Sequence, residues 1–275
     1  MFRRIRLGDI VARYLDEVTR PKRGAHSEAK FLRRLLREPL CRVPIRRLCA
    51  ADFAAYRDAR LQSVRASTVR LELSILGGVL ERARREWGLL RVNPVRDVRL
   101  PPAARGRTRR LDARTRETER LFAACRGAYN KRLLPLVELA LETAARRGEL
   151  LALRWEHVDL TRRTVHLPVT KNGFERTVPL SARARDVLRA LGPRPAGMVF
   201  EGLSANAVDL AFRRAVRRAG LVDLHFHDLR HEATTRFFEK GLTMMEVASI
   251  TGHRDPRMLR GYAHLEAEKL AAKLR

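Results

Sequence analysis

The chain has 275 residues and sets 58 lysines and arginines against 31 aspartates and glutamates, a formal net charge of +27 that strains a compact fold unless a polyanion neutralises it. Nucleic acid is therefore the leading partner class, although an arginine-rich composition also follows from a GC-rich genome. The odd set Cys41, Cys49 and Cys125 makes no disulfide framework and fits a reducing cytoplasm, and the most apolar stretch, Leu133 to Leu141, holds Pro135 and Glu138 and is too short for a membrane span. The basic start, Met1 to Arg6, gives way to Asp9 and Asp16 with no apolar cleavage segment behind it, so no targeting peptide is expected.

A length prior of about 150 residues per domain suggests two units. From residue 7 to 87 apolar residues recur three and four apart, which predicts a small helical bundle. One helix carries Ile10, Val11, Tyr14, Leu15 and Val18; a second carries Phe31, Leu32, Leu35 and Leu36; a third carries Phe53, Tyr56 and Leu61. The fourth, opening near Ser67 and stopping at Gly88, puts Val69, Leu73, Leu76, Leu80, Ala83 and Trp87 on one stripe. Residues 1–94 are thus expected to form an N-terminal helical DNA-binding domain. The stretch 95–110 contains Pro101-Pro102 and six arginines, Arg96, Arg99, Arg105, Arg107, Arg109 and Arg110, and reads as a basic interdomain linker.

The second domain, 111–275, opens with helices at about Asp112 to Cys125 and Leu133 to Thr143. Then the period changes. Val165, Leu167 and Val169 alternate with polar residues, Asn172-Gly173 suits a tight turn, and Thr177 to Leu180 returns, which predicts a β-hairpin. Met198 to Phe200 is expected as a third strand. Helices follow at about Ser204 to Ala219, Asp228 to Glu239, Thr243 to Thr251 and Pro256 to Leu265. The fold class is mainly α with a small antiparallel β-sheet.

Five features stand in order in this domain: Thr143-Ala-Ala-Arg146-Arg-Gly-Glu149, Lys171 at the hairpin turn, His227-Asp-Leu-Arg230-His231, Thr251-Gly-His253, and Tyr262 nine residues later. Each has an ordinary reading when taken alone. Arg146 and Arg147 suit a solvated helix end, Lys171 an exposed turn, Gly252 a helix stop and Tyr262 a packing residue. His227 and His231 even have the i, i+4 spacing of zinc ligands, but without an adjacent glutamate or a third ligand. Together the five resemble the signature of the tyrosine recombinase family, and the chain is most similar to its simple two-domain integrases.

That resemblance implies an N-terminal core-binding bundle, a C-terminal integrase-type catalytic domain, and a site-specific recombinase that cuts and rejoins double-stranded DNA. No cofactor and no metal are implied, nor any small-molecule ligand. Arg146 and Arg230 would brace the trigonal bipyramidal phosphorane-like transition state, because charge grows on its nonbridging oxygens. Tyr262 would attack phosphorus to give a 3'-phosphotyrosyl link, with His227 taking the phenol proton, Lys171 protonating the leaving 5'-oxygen and His253 hydrogen-bonding the phosphate. Glu149 would orient Arg146. The family works as a homo-tetramer on two duplexes. Two departures stand out: the family usually has glycine where Ala144 stands, and commonly a large or basic residue where Gly261 precedes the nucleophile. A noncatalytic helix-turn-helix regulator, from the pattern Met245 to Leu265, and a type IB topoisomerase are the competing readings.

Overall fold

The computed structural model describes residues 5–22, 25–103, 107–168, 175–259 and 261–262. The chain divides into two compact units, one through residue 106 and one from Arg107 onward. In the first, helices α1 (Leu7–Tyr14), α2 (Ala25–Leu35), α3 (Ala50–Leu61) and α4 (Ala66–Arg85) enclose one core. The α4 stripe is buried as its spacing dictates, with Val69, Leu73, Leu76, Leu80 and Ala83 at most 1% exposed. Trp87 lies past the end of this helix, packs on the same core and carries the Arg13 guanidinium 4.3 Å over its ring. Glu72 also points inward, where a bare carboxylate would be costly. It is satisfied by Tyr56 Oη at 2.7 Å, Arg34 Nη2 at 2.8 Å and Arg60 Nη2 at 2.9 Å.

The stretch expected as a linker has two anchored ends. Val95 and Val98 are buried in the first core, Asn93 donates to the Gly77 carbonyl at 2.9 Å, and Arg57 and Arg70 donate to the carbonyls of Arg99 and Pro101. In the second unit Arg107 pairs with Asp228 and Asp223, Arg109 with Glu117, and Arg110 with Glu232 and Glu239. The arginines that drew attention as spare positive charge are in part structural ion pairs.

The second unit is built around α6 (Leu133–Thr143), nearly all of it buried, with α5 (Glu117–Arg126), α8 (Ala182–Ala190) and α10 (Asp228–Glu239) packed against it. Its sheet is antiparallel in the order β1 (Val158–Asp159), β2 (Thr164–Leu167), β3 (Arg176–Pro179). Val165 pairs with Val178 and Leu167 with Arg176, so the expected hairpin forms and its apolar side chains face the core. The turn at Lys171 lies outside the described residues. The third strand is β1 rather than 198–200, which makes a single bridge between Met198 and Arg154 while Val199 and Phe200 bury their side chains. Helix α5 starts at Glu117, later than expected, because Arg116 takes a left-handed backbone with φ 52°.

Helix α8 has no counterpart in the sequence reading. Its apolar face is only Ala184, Val187 and Leu188 among three arginines, and it rests on a serine cap, Ser181 Oγ accepting from Ala184 N at 3.1 Å. Helices α7 (Arg147–Leu151), α9 (Ala205–Arg218) and α11 (Met244–Thr251) complete the unit. Helix α6 ends at Ala144, whose φ of 52° is a left-handed position that suits glycine. A Cβ there costs about 1–2 kcal/mol, against about 0.4–1 kcal/mol gained by the lower entropy of the unfolded alanine chain. Loss of the fully buried methyl offsets a further ~0.8 kcal/mol, so Ala144→Gly is expected to leave unfolding stability within about 1 kcal/mol of wild type, measured by chemical denaturation; a larger loss would refute the strain argument.

Candidate active site

The left-handed turn at Ala144 lets the chain leave α6 and enter α7 with Arg146 extended at the N-cap. Arg146 is held at both ends of its residue by Glu149, which accepts from the Arg146 backbone N–H at 2.8 Å and from Nη1 at 2.9 Å. This satisfies one of the orphan amides of a helix start and fixes the guanidinium at once. Glu149 has a second partner. Arg176 on β3 donates Nη2 to Oε2 at 2.6 Å and Nη1 to Oε1 at 3.0 Å, a bidentate pair with both side chains under 10% exposed.

Arg176 also donates Nε to the Ile250 carbonyl at 2.9 Å, and Arg230 donates Nη2 to the Thr251 carbonyl at 2.6 Å. These two oxygens belong to the last turn of α11, where carbonyls lack helical partners and the macrodipole is negative, so cations belong there. Arg230 further donates Nη1 to the Ala144 carbonyl at 2.5 Å. It is only 5% exposed and thus immobilised between the α6–α7 turn and the end of α11. Gly252, at φ 72°, stops α11, and His253 follows with Nε2 3.5 Å from Arg230 Nη2. Thr251 Oγ1 donates to the Val247 carbonyl, so it accepts from His253 Nδ1 at 2.6 Å, which assigns the Nδ1–H tautomer.

His227, Arg230 and His231 share one face of α10 through i, i+3, i+4 spacing. The two imidazoles meet edge-on with centroids 5.0 Å apart, and His231 stacks on Tyr262 at 5.7 Å. The Tyr262 hydroxyl is hydrogen-bonded to His231 Nδ1. In the sequence reading His227 takes the phenol proton, whereas in the structure the direct partner is His231. Beside His227 and Arg230 opens a cavity of about 320 Å³, walled also by Arg147, Arg213 and His225.

The structure therefore gathers Arg146, Glu149, His227, Arg230, His253 and Tyr262; Lys171 lies outside the described residues. Sequence reasoning missed Arg176, an unremarkable arginine on a short strand, whose only signal was its proximity to the hairpin. It treated His231 as a weak zinc candidate, and among the described residues no cluster able to hold a metal ion is found.

Residues 112–269 match the phage integrase family. Over 99% of its length the chain is 43% identical to the shufflon-specific DNA recombinase of Escherichia coli, covering 72% of that protein. The chain belongs to the phage integrase family. It is also 34% identical, over 91% of its length and 84% of the other, to a putative integrase/recombinase of Haemophilus influenzae. Among solved structures, the Tn1549 transposon integrase in complex with a circular intermediate DNA superposes with a TM-score of 0.81 over 98% of both chains at 16% identity. A lambda integrase tetramer bound to a Holliday junction gives 0.76, at 21% identity, over 95% of this chain and 79% of that one. Among the described residues no helix is long and apolar enough to cross a membrane.

In this integrase-family chain three guanidiniums, Arg146, Arg176 and Arg230, surround one carboxylate. Burial alone would raise the Glu149 pKa, but hydrogen bonds from Arg176 and Arg146 hold it down at about 2. Burial, with repulsion from Arg146, presses Arg230 down to about 10. Burial followed by the Arg230 and Arg146 charges lowers His253 to about 4, and burial also lowers His227 and His231. Tyr262 is raised by burial, with Arg230 opposing. A histidine depressed in the folded state is protonated first in the unfolded state, so folding stability is full above the unfolded value of about 6.5 and is lost as pH falls toward the folded value. Denaturation midpoints of the catalytic unit are accordingly expected to drop between about pH 6.5 and 4, and His253→Gln is expected to flatten that slope. An unchanged slope would place His253 in solvent.

Proposed function

We propose that this protein is a site-specific DNA recombinase that cleaves and rejoins double-stranded DNA through a 3'-phosphotyrosyl intermediate at Tyr262. The observation that carries the reading is the Tyr262 hydroxyl resting on a neutral histidine beside the buried guanidinium of Arg230. A phenol whose pKa is raised stays protonated at neutral pH and must lose its proton as it attacks. His231 supports the acceptor role by contact, and His227, one ring away, is the acceptor the family resemblance implies. The excess of guanidinium over carboxylate matches a phosphodiester that gains negative charge in the transition state, and Arg230 is preorganised by two carbonyls before the substrate arrives. Nη1 carries a second hydrogen for a phosphate oxygen, and the second hydrogen of Nη2 faces the bare Nε2 of His253 at 3.5 Å.

In the reaction, the Tyr262 oxygen forms a bond to phosphorus as the bond to the 5'-oxygen breaks. Lys171 protonates that oxygen, His253 hydrogen-bonds the phosphate, and Arg146, oriented by Glu149, shares the transition-state charge with Arg230. The ester energy is retained in the phosphotyrosine, so attack by a 5'-hydroxyl reseals the strand. Double-stranded DNA carrying recombination sites is the partner, and a homo-tetramer acting on two sites is the assembly. Inversion and integration are the outcomes suggested by the relatives' names. The protein acts in the cytoplasm, on nucleoid DNA. The helix-turn-helix alternative fares less well, because the end of α11 is turned inward with its carbonyls taken by Arg176 and Arg230.

On a nicked suicide substrate from which the 5'-hydroxyl strand diffuses away, wild-type protein is expected to accumulate a denaturation-resistant DNA adduct, in EDTA as well as without it. Tyr262→Phe should bind the DNA equally well and form none; an adduct from that variant would move the nucleophile elsewhere. Arg230→Ala and Arg146→Ala should each slow cleavage about a hundred- to a thousandfold. Their affinity should hardly change, being a small part of a footprint that weakens about a thousandfold between about 50 and 200 mM salt if six or more phosphates are neutralised. Parallel loss of affinity and cleavage would favour a noncatalytic binding protein.

A further inference from the structure

We infer that Arg176, the first residue of β3, is the positioning residue that locks the two phosphate-binding halves of the site into one register. The inference rests on the phosphotyrosine reading above. Arg176 bonds both carboxylate oxygens of Glu149, the residue that in turn holds the backbone and the guanidinium of Arg146. Through Nε it holds the Ile250 carbonyl, three residues before His253. Its aliphatic and guanidinium atoms also lie against Gly252: a Cβ built there would stand 3.2 Å from Cδ and Nη1 and 3.3 Å from Cζ. The glycine before His253 is thus required twice, by its positive φ and by the guanidinium packed on its Cα. Arg176 further begins the strand that leaves the hairpin on which Lys171 is carried.

One side chain therefore touches the Arg146 support, the His253 turn and the base of the lysine hairpin, without itself facing the reacting atoms. Its side chain is 9% exposed, and three of its five N–H donors, one on each nitrogen, go to Glu149 and Ile250. Arg230 makes a parallel connection from Ala144 to Thr251. With Arg230 alone, the α6–α7 turn and the end of α11 would be joined at one point and free to pivot; with Arg176 they are joined at two. A displacement of about 1 Å at a reacting group costs about a hundredfold in rate.

The test uses full-length protein and single-turnover cleavage of the suicide substrate. Arg176→Lys keeps the charge but loses the fork, and Arg176→Gln keeps a hydrogen-bond donor toward Glu149 without touching the Arg146 support, should the lysine fail to fold. Both are expected to bind DNA with half-saturation within about twofold of wild type and to cleave about a hundredfold more slowly at saturation, a split that simple loss of folded protein would not give. A 5'-bridging phosphorothiolate, which leaves without a proton, should not rescue them. Wild-type rates in either folded variant overturn the inference. Rescue by the phosphorothiolate overturns it by making Arg176 the proton donor, and failure of both variants to fold overturns it by making the residue a fold determinant. If wild type itself forms no adduct, the phosphotyrosine reading falls first, and that outcome is read in the same gel.

Discussion

A buried carboxylate, Glu149, organises the catalytic unit. Without it, Arg146 and Arg176 would stand beside Arg230 with nothing between them but repulsion in a poorly solvated place, and the effective dielectric there makes such repulsion cost more than it does at a surface. With it, two of the three guanidiniums are spoken for and the third is held by carbonyls. The result is a site whose positive charge is fixed in direction but only partly neutralised. Removing Glu149 would leave the buried Arg176 charge uncompensated, which typically costs about 3–5 kcal/mol, whereas removing Arg176 would leave Glu149 with Arg146 as its remaining charged partner. The pair is therefore better regarded as a geometric device than as a source of net stability.

Helix α10 shows the same logic on its other faces. Asp228 and Glu232 are at most 2% exposed, and each is met by arginines from the chain just after the unit boundary: Arg107 on Asp228, and Arg110, with Arg236 from the helix itself, on Glu232. Asp228 also accepts from the His225 backbone N–H at 2.8 Å, which shapes the entry to His227. The helix carrying His227, Arg230 and His231 is thus clamped by ion pairs at the residues that follow its two histidines, and its rotation, which would displace all three side chains together, is restricted.

Much of this was legible in the sequence because the signals were periodic or compositional. The α4 stripe, the hairpin alternation and the helices at 133–143 and 228–239 all follow from apolar spacing, and the ordered motif set picked out Arg146, Glu149, His227, Arg230, His253 and Tyr262 before any of them had a place in space. What was not legible depends on long-range geometry. Helix α8 buries three small residues among arginines, so its period is faint. Strand β1 is two residues long, defined only by its partner. Arg176 looks like any strand-edge arginine until Glu149 and Ile250 are placed beside it. That the Tyr262 hydroxyl meets His231 first turns on which side of the ring pair Tyr262 approaches, a matter of tertiary packing. Ala144, noted as a departure from the usual glycine, is accommodated by a left-handed backbone that alanine tolerates at a cost.

The ionisation states suggest why such a site is quiet without DNA. Neutral histidines and a protonated tyrosine neighbour a guanidinium cluster that lacks anionic partners for all its charge. A phosphodiester entering beside Arg230 would add negative charge next to His253, raising the depressed imidazole pKa toward its ordinary range and favouring a proton on Nε2, which the resting tautomer leaves bare. The same anion would oppose ionisation of Tyr262 until the guanidiniums neutralise it. On the proposed reading, the phenol would lose its proton more readily once Arg146 and Arg230 are engaged with phosphate, so correctly placed guanidiniums would serve nucleophile activation as well as the transition state.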